Sequence, residues 1–283
     1  MFDKILIATD LSKASDRVLA CARGLIPLGA KTAILVHALG IKPLEEMRHG
    51  MAHFIEPYLK KQRELLETEG FQATSELALG SAVVEVNRIA KEQDASLIVV
   101  GSHGATLARE MLLGGTATGI VSHARVPVLL IRLKIADAGG EARCEAMCGD
   151  FREQVLYCTD FSATAERAFP FVEKIVESGG KRVTLLHVQD RTHIEKYLAH
   201  RLDEFNEVDR QRLELLRARL EQLLVTKHHP QTLTTGKPHI AAISTISKIS
   251  QSPKLPNMFF LLPHDFNGLL QLCQGEKKQG RIK

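Results

Sequence analysis

Cysteine is scarce in this chain: Cys21, Cys144, Cys148, Cys158 and Cys273 are five in number, odd and scattered. That distribution predicts no disulfide framework and makes a reducing cytoplasm the expected compartment. Cys144 and Cys148, four apart with no second pair, read as ordinary thiols in a linker, not as half of a zinc site. No apolar run approaches the roughly 18 to 20 residues of a membrane span. The opening Met1-Phe2-Asp3-Lys4-Ile5 lacks the basic region, apolar stretch and cleavage site of a secretory leader. An excess of one charge is lacking too: 37 Lys plus Arg against 33 Asp plus Glu call for neither a nucleic acid nor a membrane surface as partner. Catalytic signatures are equally sparse. There is no Gly-x-Ser-x-Gly elbow and no Walker-type Gly-Lys-Ser/Thr. No Gly-x-Gly-x-x-Gly follows the first strand, which argues against an NAD enzyme.

What is present is ordinary in composition and regular in pattern. The 283 residues, 45% apolar and 25% charged, suit two soluble globular domains. Residues 4–10 form a short apolar run ending in a polar turn, as a buried parallel strand does. Ser12 is placed to cap a helix that turns Val18, Leu19, Ala22, Leu25 and Ile26 to one face. Further strands are expected at 32–38, 72–79, 95–100 and 126–131, with helices at about 53–69, 82–93 and 116–123. The helix at 82–93 is expected to turn Val84, Val86, Ile89 and Ala90 inward. Five strands alternating with four helices predict an α/β, doubly wound, five-stranded parallel sheet covered on both faces.

The chain then restarts. An ungapped offset of 150, laid on residues 4–38, matches nine of 35 positions, including Thr9/Thr159, Asp10/Asp160, Ser12/Ser162, Gly29/Gly179 and His37/His187. Such an echo predicts duplication. A complete unit is expected over 1–133, a linker over 134–151 where Gly139-Gly140 breaks the periodicity, and a partial second unit over 152–240. The second unit is expected to have a long charged helix at about 194–224 and a third strand at 231–236. No second glycine loop follows, so fourth and fifth strands are expected to be missing and the second unit to bind no ATP by itself. From Lys227 onward, eight Lys/Arg stand against two acids in 57 residues and the pattern dissolves. Residues 241–283 are either a degenerate basic tail able to touch anionic partners or the product of a shifted reading frame.

The stretch with chemical content is Gly101-Ser102-His103-Gly104, nine residues, then Gly114-Gly115-Thr116. It follows the fourth strand and its second half opens a helix. Glycines let backbone come close to a ligand, successive N–H groups form an anion nest, and a helix N-terminus adds partial positive charge where a phosphate would sit. In a doubly wound sheet the ligand crevice lies beyond the carboxyl ends of the strands, where strands one and four part. That brings Asp10 near the glycine loop, as acceptor for ribose hydroxyls or a base, with Ala8 and Ala38 as small apolar walls. Tight turns followed by a helix start are the competing reading of the same glycines. His37 and His187, at the ends of apolar strands, read as structural hydrogen-bonding groups, and Arg109 and Lys60-Lys61 as solvated charges.

This segment resembles the fingerprint of the universal stress protein family, Gly-x2-Gly-x9-Gly-Ser/Thr after the fourth strand. Ala8-Thr9-Asp10-Leu11-Ser12, Leu35-Val36-His37-Ala38 and His123-Ala124-Arg125-Val126-Pro127-Val128-Leu129 are similar to the family as well. The resemblance covers residues 1 to about 133 and, incompletely, 152 to about 240. It implies a flavodoxin/Rossmann-like, adenine-nucleotide alpha hydrolase-like fold, duplicated, and a cytoplasmic stress protein that binds ATP, with Mg²⁺ as companion ion. It implies that Asp10 holds adenine or ribose, that Ala8 and Ala38 lie against the adenine, and that Val100, Gly101, His103 and Gly104 line the ribose and phosphate loop. Gly114, Gly115, Thr116 and Ala117 are implied as donors to the phosphates. The family's Ser/Thr stands here as Gly115, with Thr116 one place on, so a hydroxyl donor is lost or displaced. Any hydrolysis is expected to be slow, because no base for water is evident. In the family the fifth strand pairs units edge to edge, and here the second unit has none to offer. Val126 to Ile131 is therefore expected to leave an open edge that recruits a second chain. A signalling adaptor of the same fold with an empty pocket is the alternative function.

Overall fold

Side chains alternate along β1 (Lys4–Thr9), and Ile5, Leu6 and Ile7 are all fully buried, so the strand must be covered on both faces. The computed structural model describes residues 2–40, 45–102, 114–138, 141–146, 150–189, 201–227, 239–246 and 258–261. They fall into two units, residues 1–149 with 257–283, and residues 150–256.

In the first unit, β1 pairs in parallel with β2 (Thr32–Leu39) and β4 (Leu97–Gly101). β3 (Gln72–Leu79) and β5 (Val128–Ile131) extend the sheet to the order β5-β4-β1-β2-β3. Helices α1 (Lys13–Ala22) and α2 (Glu45–Thr68) cover one face; α3 (Ala82–Glu92) and α4 (Gly115–His123) cover the other. The five-stranded parallel α/β fold expected of this region is what it forms. On the α3/α4 side the core gathers Leu6, Ile34, Val36, Ile89, Ile98 and Ile120, among others.

Two buried faces differ from expectation, each for a local reason. Past Ala22 the chain winds into a 3₁₀ turn over 23–28 that includes Pro27 and closes on Gly29 at φ +99. The tighter winding carries Ile26 off the α1 face and leaves it 37% exposed. Val84 is 61% exposed while Val86, Ile89 and Ala90 are buried. These three are spaced i, i+3, i+4 and share one face, which Val84 cannot join.

Close packing of α3 on α4 depends on Gly119, where a Cβ would stand 2.5 Å from Val83 Cγ2. Valine in a helix is stiff about χ1 and cannot swing aside. Gly119→Ala is therefore expected to destabilise the unit by about 1–3 kcal/mol despite alanine's better helix propensity. A lowered denaturation midpoint in urea is the readout.

Three further features depart from the sequence expectation. First, the β5 edge is not open. Strand β11 (Met258–Leu261) pairs antiparallel with it, Met258 opposite Ile131 and Leu261 opposite Val128. Second, within the stretch read as a linker, β6 (Leu133–Ala138) and β7 (Glu141–Ala146) form an antiparallel hairpin, with Ala138 opposite Glu141. Third, Cys21 is disulfide-bonded, where no disulfide framework was expected.

The second unit is built from β8 (Val155–Cys158), α5 (Ala163–Glu177), β9 (Arg182–Gln189), α6 (Leu202–Lys227) and β10 (His239–Ile246). Its described strands are three, parallel, in the order β10-β9-β8. Tyr157, Phe169, Val172, Val183, Leu185 and Leu213 lie at its core. The third described strand, β10, pairs in parallel with β9 along its full length. The expected position, 231–236, lies outside the described residues. β11 and most of β10 come from the segment read as a degenerate or frame-shifted tail.

Candidate functional site

β1 and β4 are neighbours, yet the chain leaves β1 for α1 on one face and β4 for α4 on the other. That divergence at the carboxyl ends of two parallel strands is where a doubly wound sheet opens a crevice.

On the β1 side the turn is tightly determined. Leu11 adopts φ +62, and its N–H donates to Thr9 Oγ1 at 3.0 Å. Asp10 Oδ1 accepts three hydrogen bonds, from Ser12 N–H at 3.1 Å, Ser12 Oγ at 2.6 Å and Ser15 Oγ at 2.5 Å. The Asp10 carboxylate is exposed and held in one orientation by the turn that starts α1. Ser12 in turn accepts from Ser15 N–H and caps the helix. From α2, Gln62 reaches into the same turn. Its Oε1 accepts from Thr9 Oγ1 at 2.6 Å and its Nε2 donates to Asp16 at 2.7 Å. His37 Nδ1 lies 2.9 Å from the Thr9 carbonyl, the structural hydrogen bond expected of it. Ser15 and Gln62 carried no sequence signal: a serine in a helical first turn and a glutamine in a charged amphipathic helix are unremarkable until the fold brings them together.

Ala8 and Ala38 are half-buried and pack on the α3/α4 core at the carboxyl ends of β1 and β2. The Val100 side chain belongs to that core, which leaves only its backbone for a ligand. Gly101 ends β4 opposite Ile131. His103 and Gly104 lie outside the described residues, as does Arg109.

On the β4 side one expected donor is already engaged. Gly114 N–H donates to the Ser102 carbonyl at 2.8 Å and closes the neck of the loop, so it is not offered to a phosphate. Gly114 is the N-cap of α4 and supplies no side-chain cap. Thr118 N–H already bonds to the Gly114 carbonyl, which leaves Gly115, Thr116 and Ala117 as first-turn N–H groups for which the helix has no acceptor. Gly115 and Thr116 are exposed; the Ala117 methyl is in the core, so only its N–H faces a ligand. Nothing described lies within 4 Å of where a Gly115 Cβ would be, so packing does not demand glycine there. A separate cavity of about 280 Å³, lined by Asn87, Lys91, Ile98 and Arg125 among others, sits at the opposite end of the sheet.

The second unit has the same turn. Phe161 adopts φ +61 and donates to Thr159 Oγ1, Ser162 N–H donates to Asp160 Oδ1, and His187 Nδ1 lies 2.7 Å from the Thr159 carbonyl. Ala165 stands where the first unit has Ser15, so that hydroxyl contact to the aspartate is missing. The Ser162 hydrogen bonds, with a smaller contribution from His187, hold the Asp160 carboxyl below its ordinary value although burial opposes them. His187 Nε2 is 3.2 Å from Asp209 Oδ2, the Phe161 ring is 4.6 Å from the His187 ring, and Arg212 lies over Phe161 at 5.3 Å. Side chains of α6 thus occupy the ground beside this turn. Among the described residues no glycine loop accompanies it.

No described helix is long and apolar enough to cross a membrane. Residues 1–132 match the model of the universal stress protein family. The chain is 26% identical to a universal stress protein of Methanocaldococcus jannaschii, over 47% of this chain and 97% of that one. It is 29% identical to universal stress protein YxiE of Bacillus subtilis, over 47% of this chain and all of that protein. The crystal structure of a universal stress protein from Archaeoglobus fulgidus superposes with a TM-score of 0.59 at 20% identity, covering 87% of this chain and 77% of that one, a likeness of fold. Over its first 132 residues the chain is thus similar in sequence to the universal stress protein family.

Proposed function

We propose that the first unit binds an adenine nucleotide, ATP, and that its occupancy is the signal the protein carries in a cytoplasmic stress response. The observation that supports this most directly is the start of α4. Its N-terminus has no side-chain cap, and the N–H groups of Gly115, Thr116 and Ala117 converge there with the helix dipole at the end of β4. Three donors and a partial positive charge suit a phosphate. Asp10, fixed by Ser12 and Ser15, suits ribose or base donors, and Ala8 and Ala38 leave room for a flat ring. The described residues contain no His/Cys/Asp/Glu cluster for a cation, so Mg²⁺ on this reading arrives with the phosphates as its ligands. The second unit reads as an incomplete copy without a nucleotide site, supported by its repeated Thr-Asp-x-Ser turn. An adaptor with an empty pocket is the second reading. The engagement of Gly114 N–H by Ser102 and the missing hydroxyl at 115 favour it.

Calorimetric titration of ATP with Mg²⁺ into the full chain separates the two readings. Saturable binding is expected, weakened about tenfold or more by Asp10→Asn. Asparagine keeps an oxygen for the Ser12 and Ser15 donors, so that loss would come from the ligand contact and not from the turn. No heat at millimolar ATP from the folded protein would leave the adaptor in place.

A further inference from the structure

The cavity of about 280 Å³ lies at the amino ends of β4 and β5, away from the crevice beside Asp10. Asn87 and Lys91 of α3, Asp94 of the turn before β4 and Arg125 of the turn before β5 bring its polar groups. Ala90, Ile98 and Val126 bring apolar ones. We propose that this cavity is a binding site for a small zwitterion, an α-amino acid with an aliphatic side chain.

Asn87 supplies the buried group that calls for a ligand. Its Nδ2 donates to the Val83 carbonyl at 2.8 Å and to the Ile120 carbonyl of α4 at 3.4 Å. Two carbonyls on one side fix which amide atom is nitrogen, so the other is the oxygen. That Oδ1 is buried and accepts from no donor among the described residues. A buried acceptor without a donor is costly, and folded proteins seldom leave one unmatched. Tying α3 to α4 does not require this oxygen, because Nδ2 alone makes that contact. An N–H donor on a bound molecule satisfies it.

The charges around the cavity are equally uncommitted. Lys91, Asp94 and Arg125 are exposed and form no ion pair among the described residues. Two cations suit a carboxylate, and the Arg125 guanidinium has the fork to hold both its oxygens. Asp94 and Asn87 Oδ1 suit an ammonium, which donates three hydrogen bonds and accepts none. Ala90 and Ile98 are buried and Val126 is half-buried, so they offer an apolar wall to an aliphatic side chain. Ligand sites are typically about 300–1,000 Å³, so this volume suits a small molecule. The site does not depend on nucleotide binding at the other end of the sheet.

Calorimetric titration of L-leucine into the full chain tests the assignment. Saturable binding at about millimolar affinity or tighter is expected. Leucinamide, which lacks the carboxylate, and isocaproate, which lacks the ammonium, should each bind about tenfold or more weakly. Arg125→Gln should weaken leucine binding by about the same factor and leave the melting temperature unchanged, since the side chain is exposed. Asn87→Ala should weaken it as well. Because Asn87→Ala also cuts the contact with Ile120, circular dichroism checks its fold, and Arg125→Gln decides the matter if that variant folds poorly. Saturating ATP should leave the affinity for leucine unchanged, whether or not ATP binds elsewhere. No saturation at millimolar leucine, equal binding of either analogue, an affinity indifferent to Arg125→Gln, or displacement by ATP overturns the proposal.

Discussion

Gly115→Pro is expected to weaken ATP binding about 10- to 100-fold while leaving the first unit folded. Proline is tolerated at the first helical position, since the N–H it lacks has no helical acceptor and its fixed φ suits the helix. The preceding residue must be extended, and Gly114 already is, at φ −69 and ψ 152. Nothing described lies within 4 Å of the new Cβ. The substitution therefore removes one donor and little else, and a hydrogen bond to a charged group contributes about 1.5–3 kcal/mol. Gly115→Ser should act in the opposite direction by restoring the hydroxyl found in the family pattern, tightening binding by up to about tenfold. Titration calorimetry of both variants beside the wild-type chain, with circular dichroism to confirm the fold, reads the pair. Equal affinities in all three would remove the α4 N-terminus from the site and the nucleotide reading with it.

Deleting residues 257–283 is expected to convert a monomer into a concentration-dependent dimer. β11 covers the outer edge of β5, and its removal bares the unpaired N–H and C=O groups of Val128 to Ile131. All four of those side chains are buried in the intact unit. A second copy of the same edge is the nearest group able to satisfy them. Sedimentation velocity across a tenfold range of concentration distinguishes the outcomes. A full chain that already dimerises, or a truncated one that stays monomeric, would mean that β11 does not decide association.

Both results would rest on positions whose meaning differs between sequence and structure. β3 runs from Gln72 to Leu79 as its alternation predicts, and Ser12 caps α1 as its place before an apolar period predicts. These depend on residues close in the chain, where periodicity and capping chemistry act directly. The family pattern likewise points to the ends of β1 and β4, because its glycines form a short local signal. The Gly114 donor was misjudged for the opposite reason. Whether an N–H is available depends on the Ser102 carbonyl twelve residues away, and the closing of that loop has no local signature.

The first 132 residues by themselves determined the fold class and the adjacency of strands one and four. Tertiary structure alone decided four things: that Gln62 reaches into the Asp10 turn, that β10 enters the second sheet at 239, that β11 closes the β5 edge, and that Cys21 is cross-linked. The physical reason is common to all four. Each is an interaction between groups distant in sequence, formed only after hydrophobic burial has brought their elements together, and so it leaves no periodic trace in the chain.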